Sequence, residues 1–272
     1  MLKQRVITAV LLLAVLLPAL FYRSPEPWAA ITLVFMVGAA WEWARLNGTS
    51  APAARVLGLL LGTVLGLSWW WWGLSAPQPG FWGPVALVWA LLMVVLLRRG
   101  VPGWARIPSL WRLWAGMLLI GLAWWAVVQA RFLGVETLLS ILSLVWVADI
   151  AAYFGGRALG RRKLAPQISP GKSWEGAVSG ALGVMVLSVA WMTLSGSANL
   201  YAHLSAWGWW LALPALLGLV ASSVAGDLIE SLVKRSAGVK DSSGLLPGHG
   251  GVLDRIDALL PVLPLAMWLL SL

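Results

Sequence analysis

The chain has 272 residues, of which 60% are hydrophobic and only 11% are charged. Soluble domains carry about a quarter charged residues, so this composition excludes an ordinary water-soluble globule and favours a membrane protein. The chain contains no cysteine, which excludes disulfides, thiolate catalysis and cysteine-ligated metal sites. Its net charge is +9, and the position of the basic residues explains that charge better than nucleic-acid binding does.

Apolar stretches recur along the whole chain at lengths that suit membrane helices, which need about 20 mostly apolar residues. Long uncharged runs favour helices over a barrel, whose strands would alternate polar and apolar residues. We therefore predict an all-α, polytopic membrane protein with about nine transmembrane helices and a single membrane domain over residues 1–272. The predicted spans are residues 6–22, 28–46, 56–74, 82–97, 111–130, 134–154, 174–195, 207–233 and 253–271.

The basic residues predict the orientation of these spans. If the N-terminus is cytoplasmic and the spans alternate, the cytoplasmic segments hold every one of the 19 Lys and Arg residues except Arg23 and Arg131. Such an asymmetry follows the positive-inside rule. We expect a multi-pass protein of the cell inner (cytoplasmic) membrane, whose basic face favours anionic membrane lipids and not nucleic acid.

The first half of the chain, residues 1–140, is rich in Trp, Leu and Gly and is predicted to be mainly scaffold. Glu42 lies near the cytoplasmic end of the second predicted span, between Trp41 and Trp43. We interpret it as a surface charge that reaches the head-group region. Because the scaffold spans carry so little chemistry, we expect them to form the interface of a homodimer.

The second half, residues 141–272, is predicted to carry the active site. Seven of the ten acidic residues lie from Asp149 onward. Two polar loops, residues 155–176 and 231–257, connect spans on the same predicted face of the membrane. A site that contains both loops would therefore face the cytoplasm and its soluble metabolites.

Residues 226–257 suggest a metal and phosphate site. In a helix, Asp227 lies about 10 Å deeper than Lys234, since each residue rises 1.5 Å, and a carboxylate there is costly unless it meets a cation. Asp254 begins the next span and approaches Asp227 if the two spans are antiparallel neighbours. Oxygen ligands without cysteine favour Mg²⁺, and exposed N–H groups of Gly250 and Gly251 suit phosphate. The surrounding positive groups, which fit phosphoryl-group transfer, are Lys234, Arg235, Lys240, His249 and Arg255.

Simpler interpretations of the same residues stay open at this point. Lys234 and Arg235 are also typical of a topology anchor at a cytoplasmic helix end, and a single loop histidine such as His249 is usually solvated. The acidic residues have structural alternatives too. Asp227 and Asp254 can form ion pairs with Arg255 or Lys234, and Asp149 can pair with Arg157.

Two stretches resemble a known family. The sequence SLVKRSAGVKDSSGLLPGHGGVLDRID, residues 231–257, resembles the signature of the phosphatidate cytidylyltransferases, also called CDP-diacylglycerol synthases. The sequence DIAAYFGGRALGRRKLAPQISPGKSWEG, residues 149–176, resembles a second motif region of that family. The resemblance implies a nucleotidyltransferase that converts CTP and phosphatidic acid to CDP-diacylglycerol and pyrophosphate with Mg²⁺ and a second cation such as K⁺.

The resemblance also implies roles for individual residues, of which Asp227 and Asp254 are the metal ligands. His249 would position a phosphate or assist the departing pyrophosphate, and Asp241 and Asp257 would hold metal-bound water or orient the basic groups. The phosphate-binding and substrate-binding set is Lys172, Lys234, Arg235, Lys240, Arg255, Gly250 and Gly251. Ser173 and Glu175, together with Ser169, would complete the pocket from the other loop.

Three rival functions agree less well with the sequence. A transporter would also place acids within spans, but the acids here cluster at one face and no inverted repeat is visible. An enzyme that consumes CDP-diacylglycerol would carry the pattern DGx2ARx8Gx3Dx3D, which the chain lacks. An inactive scaffold is disfavoured by the intact set of Asp, Lys and His residues.

Overall fold

A computed structural model describes residues 2–74, 80–195 and 198–272. This part of the chain contains eleven helices and one short two-stranded sheet. The elements are α1 (Leu2–Phe21), α2 (Glu26–Leu46), α3 (Ala51–Trp72), α4 (Trp82–Ala105), α5 (Ser109–Leu133), α6 (Val135–Leu159), β1 (Lys163–Ala165), β2 (Ser169–Ser173), α7 (Trp174–Leu194), α8 (Leu200–Ser205), α9 (Trp209–Ser236), α10 (Leu253–Ile256) and α11 (Leu259–Leu270).

Eight of the described helices, α1 to α7 and α9, are long and apolar enough to cross a membrane. Their outer faces expose large apolar side chains such as Val34, Trp70 and Val186, which lipid solvates better than water does. The prediction of an all-α, polytopic membrane protein is therefore confirmed.

The ninth predicted span, residues 253–271, differs from the other eight. It forms two shorter helices, α10 and α11, which are separated by a turn at residues 257–258. The physical reason is Pro261. It has no N–H to donate to the carbonyl of Asp257 four residues earlier, and a proline ring collides with the carbonyl at that position in a continuous helix.

The chain forms two compact units. The first comprises Met1–Ala76, Pro102–Val135 and Val233–Ile256. At its centre α2 packs against α3 and α5, where small side chains of Ala40, Ala44 and Ala54 let the helices approach and surround Met117. The Trp43 indole donates a hydrogen bond to the Leu113 carbonyl at 3.1 Å, which joins α2 to α5.

The second unit comprises Pro77–Val101, Glu136–Leu232 and Asp257–Leu272. Helices α6 and α7 approach closely here, since a Cβ on Gly180 would lie 2.8 Å from the Ala148 carbonyl oxygen. Strands β1 and β2 form an antiparallel hairpin that leads into α7. That all of the chain makes up one membrane domain stays a prediction.

Candidate active site

Two of the residues predicted for the 155–176 loop shape that loop. The Ser173 hydroxyl accepts a hydrogen bond from the Gly176 N–H at 3.1 Å and so caps the first turn of α7. The Glu175 carboxylate accepts the backbone N–H of Arg161 at 3.0 Å and that of Arg162 at 3.1 Å. These contacts fix the hairpin against α7, because they satisfy N–H groups that no strand or helix partner reaches.

Lys172 lies on β2 of this hairpin and contacts Asp227 of α9. Its Nζ is 2.7 Å from Asp227 Oδ2, and both side chains are partly exposed. The other oxygen, Asp227 Oδ1, accepts a hydrogen bond from the Ser231 hydroxyl at 3.2 Å. Two residues predicted for the site from different loops are therefore brought together within the second unit.

Asp149 of α6 joins this pair. Its carboxyl lies close enough to Lys172 and Asp227 to interact with both charges. The sequence pattern offered Arg157 as its partner and gave no signal for Asp227. The second unit therefore places Asp149, an acidic residue that was not among the predicted site residues, within electrostatic range of the Lys172–Asp227 pair.

Asp257 lies beside the turn of α9 that carries Asp227. A Cβ on Gly226 would be 2.6 Å from the Asp257 carbonyl oxygen, so the helix can pass at this distance only because residue 226 is glycine. The Asp257 carboxylate accepts the Ala258 N–H at 2.8 Å. Its predicted role towards metal-bound water stays a prediction.

In the first unit, the sequence LPGH forms a tight turn. The His249 N–H donates to the Leu246 carbonyl at 2.8 Å, with Pro247 and Gly248 between them and Gly248 at φ +77°. This is the arrangement of a type II turn, which favours proline followed by glycine. Helix α1 holds the turn, since the Thr8 hydroxyl donates to the Pro247 carbonyl at 2.9 Å.

Asp254 connects α9 to this loop. Its Oδ1 accepts a hydrogen bond from Lys234 Nζ at 2.6 Å, and both side chains are nearly buried. Its Oδ2 accepts the Ser242 N–H and hydroxyl, both at 2.9 Å, and the Gly251 N–H at 2.8 Å. Burial raises the pKa of the Asp254 carboxyl, but the hydrogen bonds from Lys234, Gly251 and Ser242 outweigh burial and lower the pKa to about 2. The ion pair with Lys234, one of the simpler interpretations, is present.

Glu42 contradicts the sequence-based interpretation. It is 0% exposed and is not a charge at the protein surface. Its carboxylate accepts hydrogen bonds from the N–H groups of Val252 and Leu253 and from the Ser243 hydroxyl, and its Oε2 lies 3.2 Å from the Ser242 hydroxyl oxygen. No local sequence pattern indicates this contact, because the partners lie about 200 residues further along the chain and apolar neighbours surround Glu42 locally.

The remaining charged residues predicted for the 231–257 loop lie at its surface. The Arg255 guanidinium donates to the His249 carbonyl at 3.0 Å, and that of Arg235 donates to the Val239 carbonyl at 3.3 Å. Lys240 and Asp241 are exposed. Gly250 has φ +80°, and Gly251 is buried beside Ser242. These basic groups are therefore available to an anion that approaches from solvent.

The two predicted metal ligands differ in how well they suit a cation. Asp227 has a neighbouring carboxylate, Asp149, and paired carboxylate oxygens are the donors that Mg²⁺ prefers. The Asp254 carboxylate already accepts from four donors, which occupy about all of its four lone-pair sites. Within residues 2–74, 80–195 and 198–272, no group of three or more His, Asp or Glu residues is arranged to hold a metal ion. Asp227 therefore suits an ion that keeps several waters or substrate oxygens, as Mg²⁺ usually does, better than Asp254 does in this arrangement.

Comparison with known proteins extends the similarity over nearly the whole chain. A model of the cytidylyltransferase family matches residues 3–272. A protein of Haemophilus influenzae named phosphatidate cytidylyltransferase is 38% identical over 97% of this chain and 96% of its own length. A protein of the same name from Pseudomonas aeruginosa is 38% identical over 98% of this chain and 97% of its own length. One from Brucella suis is 47% identical over 46% of this chain and 43% of its own length.

Proposed function

Because the chain belongs to the cytidylyltransferase family, we propose that it transfers the cytidylyl group of CTP to phosphatidic acid. The products are CDP-diacylglycerol, which serves phospholipid biosynthesis, and pyrophosphate. The observation that carries the proposal is the 38% identity, over nearly the full length, to a protein named phosphatidate cytidylyltransferase. The lysine and carboxylate pairs in both polar loops support it.

In this reaction an oxygen of the lipid phosphate forms a bond to the α-phosphorus of CTP. The bond from that phosphorus to the bridging oxygen of the β-phosphate breaks, and pyrophosphate leaves with the electron pair. A phosphate monoester is largely ionised at pH 7, since its second pKa is about 6, so no strong general base is needed. What the protein must supply is position and positive charge, because both reactants are anions.

Lys172 and Lys234 suit that task because a carboxylate holds each ammonium in place, at 2.7 Å and 2.6 Å respectively. A lysine held by an aspartate keeps its charge and loses little freedom when a phosphate oxygen approaches. Lys240, Arg235 and Arg255 add positive charge from the exposed part of the loop. His249 would assist near the pyrophosphate, as the sequence motif implies.

The reaction is proposed to depend on Mg²⁺, with K⁺ as a candidate second cation. Asp227 and Asp254 are the proposed ligands, and Asp149 is an additional carboxylate on the Asp227 side. When bound, the ion would neutralise phosphate charge that the lysines leave uncompensated. That one ion is bound by both Asp227 and Asp254 stays a prediction from the sequence motif.

The proposed location is the bacterial inner membrane, with the site facing the cytoplasm. The distribution of basic residues supports this orientation, which also brings CTP from the cytosol to a lipid head group at the membrane surface. Membrane lipids are therefore both the solvent and a substrate. A homodimer through the apolar first half is part of the same proposal.

The proposal is tested by identifying the product. Purified protein in mixed micelles is incubated with labelled CTP, Mg²⁺ and either phosphatidic acid or phosphatidylglycerol, and the lipid fraction is chromatographed. A labelled CDP-diacylglycerol is expected with phosphatidic acid and not with phosphatidylglycerol, whose phosphate is already a diester and has no terminal phosphate group to form the new bond. Label in neither lipid fraction would contradict the proposal.

A further inference from the structure

Glu42 is a buried carboxylate that the reaction described above does not use. It lies on α2, within the half of the chain predicted to be scaffold, and it is 0% exposed. Removing a carboxylate from water is energetically costly unless hydrogen bonds or an opposite charge compensate. Such a residue therefore needs a structural or functional reason.

Both oxygens of Glu42 bind the loop that carries the candidate active-site residues. Glu42 Oε1 accepts the Ser243 hydroxyl at 2.6 Å and the Val252 N–H at 2.9 Å. Glu42 Oε2 accepts the Leu253 N–H at 2.7 Å and lies 3.2 Å from the Ser242 hydroxyl. The donors come from both ends of the segment 244–251, so one side chain joins the two ends of that segment.

The same donors are interleaved with those of Asp254. The Ser242 hydroxyl lies 2.9 Å from Asp254 Oδ2 as well as 3.2 Å from Glu42. The Gly251 N–H donates to Asp254, whereas the next N–H, that of Val252, donates to Glu42. A Cβ on Gly251 would overlap both the Ser242 hydroxyl and the Glu42 carboxylate. The position of the Asp254 carboxylate therefore depends on the position of Glu42.

We propose that Glu42 is a positioning residue for the cytidylyl transfer. It fixes the loop Ser242–Leu253 from α2, and thereby holds Asp254 and its partner Lys234 in the geometry that the reaction needs. Glu42 touches no reacting atom, and its effect passes through the loop. The inference rests on the proposed function, because it assigns a role in that reaction.

The decisive substitution is Glu42→Gln, which keeps the shape of the side chain. The amide nitrogen that replaces one carboxylate oxygen is a donor and cannot accept hydrogen bonds. It would therefore face two donor groups of the loop without being able to bind either. The loop must shift to relieve this conflict. We expect kcat to fall about tenfold or more, since a misplacement near 1 Å can reduce a rate about 100-fold. The KM for CTP should change much less, because the substrate-contacting groups are intact.

Three further variants separate positioning from general stability. Thr32→Val removes a buried hydrogen bond on the same helix, where the hydroxyl donates only to carbonyls of α2, and should leave kcat unchanged. Ser243→Ala removes one donor to Glu42 and should lower kcat modestly. Glu42→Asp keeps the charge and should have a kcat between those of the wild type and Glu42→Gln.

The readouts are kcat and KM, thermal stability, and hydrogen exchange of a peptide that includes Val252 and Leu253. Faster exchange in this peptide and a lower kcat in Glu42→Gln, at near wild-type stability, are the expected result. A wild-type kcat in Glu42→Gln would overturn the inference. If Glu42→Gln fails to fold, Ser243→Ala decides, and a wild-type kcat in that variant would overturn the inference.

Failure of the proposed function is distinguishable from failure of this inference. If the wild type makes no CDP-diacylglycerol from CTP and phosphatidic acid, the proposed function fails regardless of Glu42. If the wild type is active and the Glu42 variants match it, only the positioning role fails.

Discussion

Lys172 Nζ lies 2.7 Å from Asp227 Oδ2 and connects the hairpin before α7 to α9. The contact joins two residues that are 55 positions apart in the sequence. With Asp149 nearby, the cluster has two carboxylates and one ammonium. If the anionic substrate binds there, as proposed, Lys172 is the group that offsets the negative charge of the two carboxylates.

Lys172→Gln is expected to lower kcat/KM for CTP about 100-fold, as the loss of one well-placed positive or hydrogen-bonding group often does. The physical reason is that Asp149 and Asp227 would repel the phosphates once the ammonium is gone. The matched control is Lys163→Gln, an exposed lysine on the other strand of the same hairpin. Equal activity of the two variants would remove Lys172 from the site.

Substitution of either proposed metal ligand, Asp227 or Asp254, should change how the rate depends on Mg²⁺ concentration. Asp227→Asn and Asp254→Asn are each expected to lower turnover about 100-fold or more and to raise the Mg²⁺ concentration needed for half-maximal rate. Steady-state rates over a Mg²⁺ titration measure both effects. Near-normal turnover in Asp254→Asn would exclude Asp254 from the active site. Lower turnover with an unchanged Mg²⁺ dependence would mean that Asp254 organises the loop through its hydrogen bonds and does not bind the metal ion.

Arg99 tests the division between scaffold and site. It is exposed near the end of the first part of α4, next to the kink at Gly100, and only the orientation of the spans gives it a role. Arg99→Gln should retain nearly wild-type kcat and KM. A large loss of activity at wild-type expression would mean that the scaffold half contributes directly to catalysis.

The absence of cysteine makes the proposed orientation easy to measure. Single cysteines at Val239 and at Arg23 are expected to lie on opposite sides of the membrane. A membrane-impermeant maleimide added to intact cells, with the outer membrane permeabilised, should label Arg23→Cys at once and Val239→Cys only after lysis. Labelling of Val239→Cys in intact cells would contradict a cytoplasmic site.

The long helices could be predicted from sequence because hydrophobic length alone determines them. The ninth predicted span is the exception, because it is interrupted by a turn at residues 257–258. Pro261 disfavours a continuous helix there, but hydrophobic length alone does not show whether the chain bends or turns. The start of α7 at Trp174 was also predictable, because Pro170 and Gly171 cannot continue a helix before it.

The candidate site was predicted less completely, for a physical reason. The sequence patterns identified Lys172, Asp227, Lys234 and Asp254, since charged residues are conspicuous in an apolar chain. They did not pair Lys172 with Asp227 or reveal the role of Glu42. A carboxylate in an apolar helix has the same local sequence whether it reaches solvent or meets a loop from the far end of the chain.

The most direct test of the account is release of pyrophosphate from CTP by the detergent-purified protein. The assay omits phosphatidic acid, Mg²⁺ or CTP in turn, and measures CDP-diacylglycerol in the same samples. The account predicts equal amounts of pyrophosphate and CDP-diacylglycerol when all three are present, and neither product when any one is omitted. Pyrophosphate release that is independent of phosphatidic acid, or no release from folded protein in the complete mixture, would contradict it.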